Sequence, residues 1–151
     1  MTLNYDELML EALVLAREAM ATGEVPVGAL VISPTGEIVG RGKNLREIDN
    51  DPTAHAEIVA LREASESQEN WRLDDHVLVV TLEPCAMCAG AIAQSRIKTV
   101  LFGAWDDKAG AVGSVWDILR DPRSPHKVEV IAGIKAEECV ALLAEFFKGI
   151  R

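Results

Sequence analysis

The sequence predicts an α/β sandwich built on a mixed sheet, and three observations carry that expectation. Short apolar runs of strand length recur, as in Val27-Gly28-Ala29-Leu30-Val31-Ile32 and Val77-Leu78-Val79-Val80. Longer stretches with apolar residues at helical spacing lie between the later runs. The first two strands are joined by a tight turn, so they read as a hairpin, whereas the later strands alternate with helices.

Residues 5–20 open the chain as a helix, with Leu8, Ala12, Leu15 and Ala19 on one side, Asn4 as N-cap and Gly23 as the stop. Residues 27–32 form the first strand, Ser33-Pro34-Thr35-Gly36 the turn, and residues 37–42 the return strand. Residues 54–63 are rich in helix formers, carry Ile58 and Leu61 on one side, and follow Asp51 and Thr53, either of which can cap them. Residues 77–82 are a buried strand that ends at Pro84, and Pro84 suits the first turn of a helix over residues 85–94. Strands at 99–102 and 128–132 and a helix at 136–147 complete the chain. No repeat or linker divides it, so residues 1–151 are expected to form a single domain.

Composition narrows the function classes. Hydrophobic residues make up 49% and charged residues 26%, an ordinary globular balance. The apolar runs are too short to cross a bilayer, and residues 1–7 lack the basic and apolar segments of a secretory signal, so a cytoplasmic location without membrane contact is expected. The net charge of −9 argues against a nucleic-acid partner at first sight, but all of the excess lies in residues 1–75. Residues 76–151 are neutral and contain Arg96, Lys98, Lys108, Arg120, Arg123 and Lys127, which read either as a basic face or as solvated surface.

Cys85-x-x-Cys88 is the first chemical signal, a spacing that suits metal binding or redox work in a reducing compartment. At a helix start both sulfurs share one side, and the helix terminus favours thiolate. His55, expected in the first turn of another helix, completes an imidazole–thiolate set suited to zinc. Three ligands are informative because structural zinc sites usually close with four, whereas three leave a place for water. Cys139 reads as a buried apolar residue, and His76 and His126 as surface histidines. Glu57, two residues after His55, is placed to move protons for a zinc-activated water; alone, it would be a first-turn acid complementing the helix dipole.

His55-Ala56-Glu57 and Pro84-Cys85-Ala86-Met87-Cys88 match the established H-x-E…P-C-x-x-C signature of zinc deaminases. The stretches Glu24-Val25-Pro26-Val27-Gly28-Ala29, Asp51-Pro52-Thr53-Ala54, Thr81-Leu82-Glu83, Ser95-Arg96-Ile97, Phe102-Gly103-Ala104 and Glu145-Phe146-Phe147-Lys148 extend the match over nearly the whole chain. So do Asp106 with Lys108, Gly110-Ala111 and Gly113-Ser114. The chain therefore resembles the tRNA-specific adenosine deaminases of the cytidine/deoxycytidylate deaminase superfamily.

That resemblance implies a three-layer α/β/α sandwich with a five-stranded mixed sheet, a homodimer, and one Zn2+ per chain held by His55, Cys85 and Cys88. It implies hydrolytic conversion of adenosine to inosine at the wobble position of a tRNA anticodon loop, with Glu57 as proton shuttle. Asn44 matches the residue that hydrogen-bonds the target base; a loop Asn closing a local turn remains an alternative. Trp105 stands where a basic residue is frequent, Lys43 where an aromatic one is common, and the chain ends at Arg151 without the basic tail some relatives carry. Trp105 could stack on a base instead. Two other readings stand beside this one. A deaminase of a free base or nucleoside, of guanine or cytosine type, suits the −9 charge. A non-catalytic structural zinc module requires a fourth protein ligand.

Overall fold

The computed structural model describes residues 2–150. Five strands form one sheet in the order β2-β1-β3-β4-β5. They are β1 (Gly28–Ile32), β2 (Ile38–Lys43), β3 (Val77–Leu82), β4 (Thr99–Ala104) and β5 (Glu129–Ile131). The hairpin β1/β2 and the β1/β3 pair are antiparallel, whereas β3/β4 and β4/β5 are parallel, so the sheet is mixed as expected.

Strand alternation explains the layers. On β1, Ala29 and Val31 face one core and Leu30 and Ile32 the other. The first core is completed by α2 (Ala56–Gln68) and α3 (Ala86–Gln94), through Ala60, Leu61, Ala64, Ala89 and Ile92. The second is completed by α1 (Tyr5–Ala21) and α4 (Ala136–Gly149), through Met9, Leu13, Ala16, Cys139 and Leu142. Both faces of β1, β3 and β4 are covered, which is why these strands are continuous apolar runs rather than alternating ones.

Several boundaries differ from the sequence expectation. Asn4 caps α1 as expected, its Oδ1 accepting the Glu7 amide at 3.1 Å. Neither Thr53 nor Asp51 caps α2. The Asp51 carboxylate instead accepts the Thr53 amide at 2.8 Å and its hydroxyl at 2.7 Å, a local turn that holds the chain out of the helix. The helix then starts two residues later than expected, with His55 at the N-cap. Pro84 likewise lies ahead of α3, whose N-cap is Cys85. His76 is not a surface residue. It is 6% exposed, with Nδ1 2.9 Å from the Asp74 carbonyl and a buried, unpartnered Nε2. His126 is half-buried, with Nε2 2.7 Å from the Ile97 carbonyl. Cys139 is buried as expected.

Candidate active site

The site lies at the carboxyl end of β3, where the chain leaves the sheet and turns into α3. On the neighbouring antiparallel strand the chain enters β1 here, and the Gly28 amide donates to the Thr81 hydroxyl at 3.2 Å. Across β2, α2 sits close enough that a Cβ on Gly42 would strike the Ala56 carbonyl, so glycine at this position sets the height of the α2 N-terminus. The starts of α2 and α3 thereby face each other.

His55 and Cys85 occupy the two N-caps, and neither side chain is used for capping. Both are free for other partners. His55 Nδ1 is 3.6 Å from Cys85 Sγ and 3.5 Å from Cys88 Sγ. All three donor atoms lie within 4.8 Å of one another, and among the described residues no other His, Cys, Asp or Glu joins the group. Zinc bonds of about 2.0 Å to nitrogen and 2.3 Å to sulfur at a tetrahedral angle separate the two atoms by about 3.5 Å. The donor set fits a metal in chemistry and in spacing, and its three members leave a vertex for solvent.

The electrostatics point the same way. The Cys88 thiol donating to Cys85, with His55 alongside, brings the Cys85 thiol down to about 4. Cys88 is pushed up because its thiol donates a hydrogen bond to Cys85, is buried, and lies beside Glu57. Cys85 in turn raises His55. Burial carries the Glu57 carboxyl up to about 7. Two thiols and a carboxyl thus compete for one negative charge in a confined space, the condition a cation relieves.

A cavity of about 520 Å³ opens over these groups. His55, Glu57 and Cys85 lie on its lining together with Asn44, Arg46 and the Trp105–Lys108 segment. Leu143 and Phe147 reach it from α4. Asn44 is 6% exposed; its Nδ2 donates to the Val25 carbonyl at 3.3 Å and its Oδ1 accepts the Arg46 amide at 3.1 Å. The local turn that was the alternative reading of this residue is present, and the same side chain borders the cavity.

The comparisons with known proteins agree with this geometry. The model of the cytidine and deoxycytidylate deaminase zinc-binding region matches residues 3–104, which contain His55, Glu57, Cys85 and Cys88. The chain belongs to the cytidine and deoxycytidylate deaminase family. Within that family, it is 50% identical over 96% of its length to the tRNA-specific adenosine deaminase of Haemophilus influenzae, covering 84% of that relative. It is 44% identical over 99% of its length to the Bacillus subtilis protein of the same name, covering 92%. A solved structure from studies of A-to-I editing by tRNA:A34 deaminases superposes with a TM-score of 0.86 at 40% identity, covering 90% of this chain and 98% of the other. Guanine deaminase from Nitrosomonas europaea superposes with a TM-score of 0.81 at 26% identity, covering 96% and 85%.

The structure brings together His55, Glu57, Cys85, Cys88 and Asn44. Sequence reasoning missed two buried carboxylates, Glu24 beside the cavity and Glu83 on its lining. Glu24 accepts the amides of Glu47 and Ile48, at 2.9 Å for Ile48, and Glu83 accepts those of Asp106, Val112 and Ser114. The signal for Glu83 was slight: an acid wedged between an apolar strand and a proline. Arg120 and Arg123, candidates for a basic face, are paired with Asp117 and Asp121 at 3.0 and 2.7 Å.

Proposed function

We propose that this chain converts adenosine to inosine at the wobble position of a tRNA anticodon by hydrolysis. The observation that carries the reading is a buried carboxyl beside a three-donor metal group, set in a cavity open to solvent. It gains its substrate from relatives, 44–50% identical, that bear the name tRNA-specific adenosine deaminase.

His55, Cys85 and Cys88 would hold one Zn2+ per chain. Zinc bound there supplies Lewis-acid activation of a water molecule, lowering its pKa to about 7. Glu57 handles the protons. Its carboxyl is buried two residues after a candidate metal donor and borders the cavity, where it can accept a proton and return it, as a shuttle must. It delivers one to N1 of the adenine ring and another to the departing 6-amino group, so that ammonia leaves and the C6 carbonyl of inosine remains. Asn44 uses one amide hydrogen on Val25, which leaves the second for the target base. An adenine stacked in a stem cannot present C6 to this cavity, so the substrate nucleotide must be turned out of a loop.

The tRNA substrate supports a cytoplasmic location, and no described helix is long and apolar enough to cross a membrane. We assign residues 1–151 to one domain, since both cores share a single sheet. A homodimer is supported by a groove along α2 and α3, where Ile58, Leu61 and Ala91 lie next to the exposed Trp71. The guanine deaminase neighbour and the −9 charge favour a second reading, deamination of a free purine base. Incubation with a tRNA pool followed by inosine mapping tests the first reading, and ammonia release from free guanine or adenine tests the second. Inosine at position 34 is expected; ammonia from free bases with unmodified tRNA would reverse the assignment.

A further inference from the structure

Glu83 has no place in the reaction described above, yet four donors converge on it. Its Oε1 accepts the Asp106 amide at 2.9 Å and the Ser114 hydroxyl, and its Oε2 accepts the Val112 and Ser114 amides at 3.0 Å each. The residue is 1% exposed. Burial pushes its carboxyl up, but these donors outweigh burial and hold it below its ordinary value. No Lys or Arg forms an ion pair with it among the described residues, so the backbone of one loop provides most of its compensation.

That loop, residues 105–114, is stitched to the same junction at further points. The Ala111 amide donates to the Pro84 carbonyl at 2.8 Å, and Gly110 pairs across an isolated bridge with Cys85. A Cβ on Gly110 would overlap the Glu83 carboxylate, so the backbone passes directly over it. The loop in turn carries Trp105, Asp106, Asp107, Lys108 and Ala109, one wall of the cavity.

We propose that Glu83 is a positioning residue for the RNA substrate: its carboxylate locks the 105–114 loop onto the strand-to-helix junction that bears Cys85, and thereby sets the cavity wall that grips nucleotides around the target base. The identity of the substrate rests on the wobble-deaminase reading; the lock itself does not. Glutamate is required because both oxygens meet two donors each. A glutamine turns its NH2 group against the Val112 and Ser114 amides in one orientation and against the Asp106 amide in the other, where only the Ser114 hydroxyl can rotate to accept.

Glu83→Gln tests this in the zinc-loaded enzyme with two readouts. Hydrogen exchange is expected to speed up at the amides of Asp106, Val112 and Ser114 and to stay unchanged in β3 and β4. Loss of a charge-assisted lock that acts on binding alone is expected to raise KM for an anticodon stem-loop RNA about tenfold, with kcat within about twofold and one zinc per chain. A parent-like KM, a fall in kcat at constant KM, or loss of zinc would overturn the proposal. Should Glu83→Gln fail to fold, Ser114→Ala removes one donor and spares the carboxylate. A KM rise of about threefold is expected of it, and an unchanged KM would count against the lock. If the parent enzyme deaminates no RNA, the substrate reading fails while the exchange data still decide whether Glu83 holds the loop.

Discussion

At the scale of single residues, the same two helix starts do work that helices ordinarily give to Ser, Thr, Asp or Asn. His55 and Cys85 sit at N-caps without capping anything, so each helix forgoes a side-chain cap worth about 1 kcal/mol. In return their donor atoms meet at 3.6 Å, next to free backbone N–H groups whose partial positive charge favours thiolate. Glu57 follows by geometry, two positions after the cap, buried where its carboxyl is raised to about 7. Glu57→Gln keeps the size and most of the polarity and abolishes the proton transfer. It is expected to retain one zinc per chain while lowering kcat by about 10²- to 10⁴-fold, the range of a general acid–base group. Zinc analysis beside single-turnover kinetics checks both halves, and near-parent turnover would refute the shuttle role.

At the scale of elements, apolar runs and apolar period together with the turn and proline signals were enough to find the five strands and four helices of the described residues; β1, β3 and β4 were the plainest because both of their faces are covered. Helix starts were less legible. The onset of α2 is decided by the Asp51 turn, which competes with capping and delays the helix to Ala56. His76 and Glu83 were hidden for another reason: their burial depends on segments far away in sequence, which no local pattern reveals. Gly42 shows how tightly these elements are set. In Gly42→Ala, the added methyl meets the Ala56 carbonyl and pushes away the α2 N-terminus that carries His55 and Glu57. Thermal stability is expected to drop by about 1–3 kcal/mol, as for other overpacked sites, and activity by more than stability alone explains. Asn4→Ala is the control on the opposite face. It removes the α1 cap at a cost of about 1 kcal/mol and should leave kcat/KM unchanged, because α1 contributes nothing to the cavity lining.

At the scale of the whole molecule, the candidate metal group brings together donors from two separate junctions of the chain. Cys85 and Cys88 belong to the β3–α3 junction and His55 to the start of α2, 30 residues earlier than Cys85. The two helices pack on the same face of the sheet, so a metal across their N-termini would close that layer at an end where apolar side chains give way to a cavity. Without a cation, Cys88 and Glu57 are forced toward their neutral forms. With one, both sulfurs can ionise, and binding energy becomes folding energy because the donors are dispersed in the unfolded chain. At free zinc about 1,000-fold above Kd, the gain is about 4 kcal/mol. For a chain of this length each kcal/mol moves Tm by about 2–4 °C, so chelation is expected to lower Tm by about 8–16 °C. Readdition of zinc should restore it. Cys85→Ala removes a ligand but no core contact, and its Tm should respond weakly to chelator and zinc alike. Calorimetry on the two proteins, with and without chelator, decides the matter: a parent protein indifferent to chelation while its zinc is shown to leave would mean that the sheet holds the two helix starts together unaided.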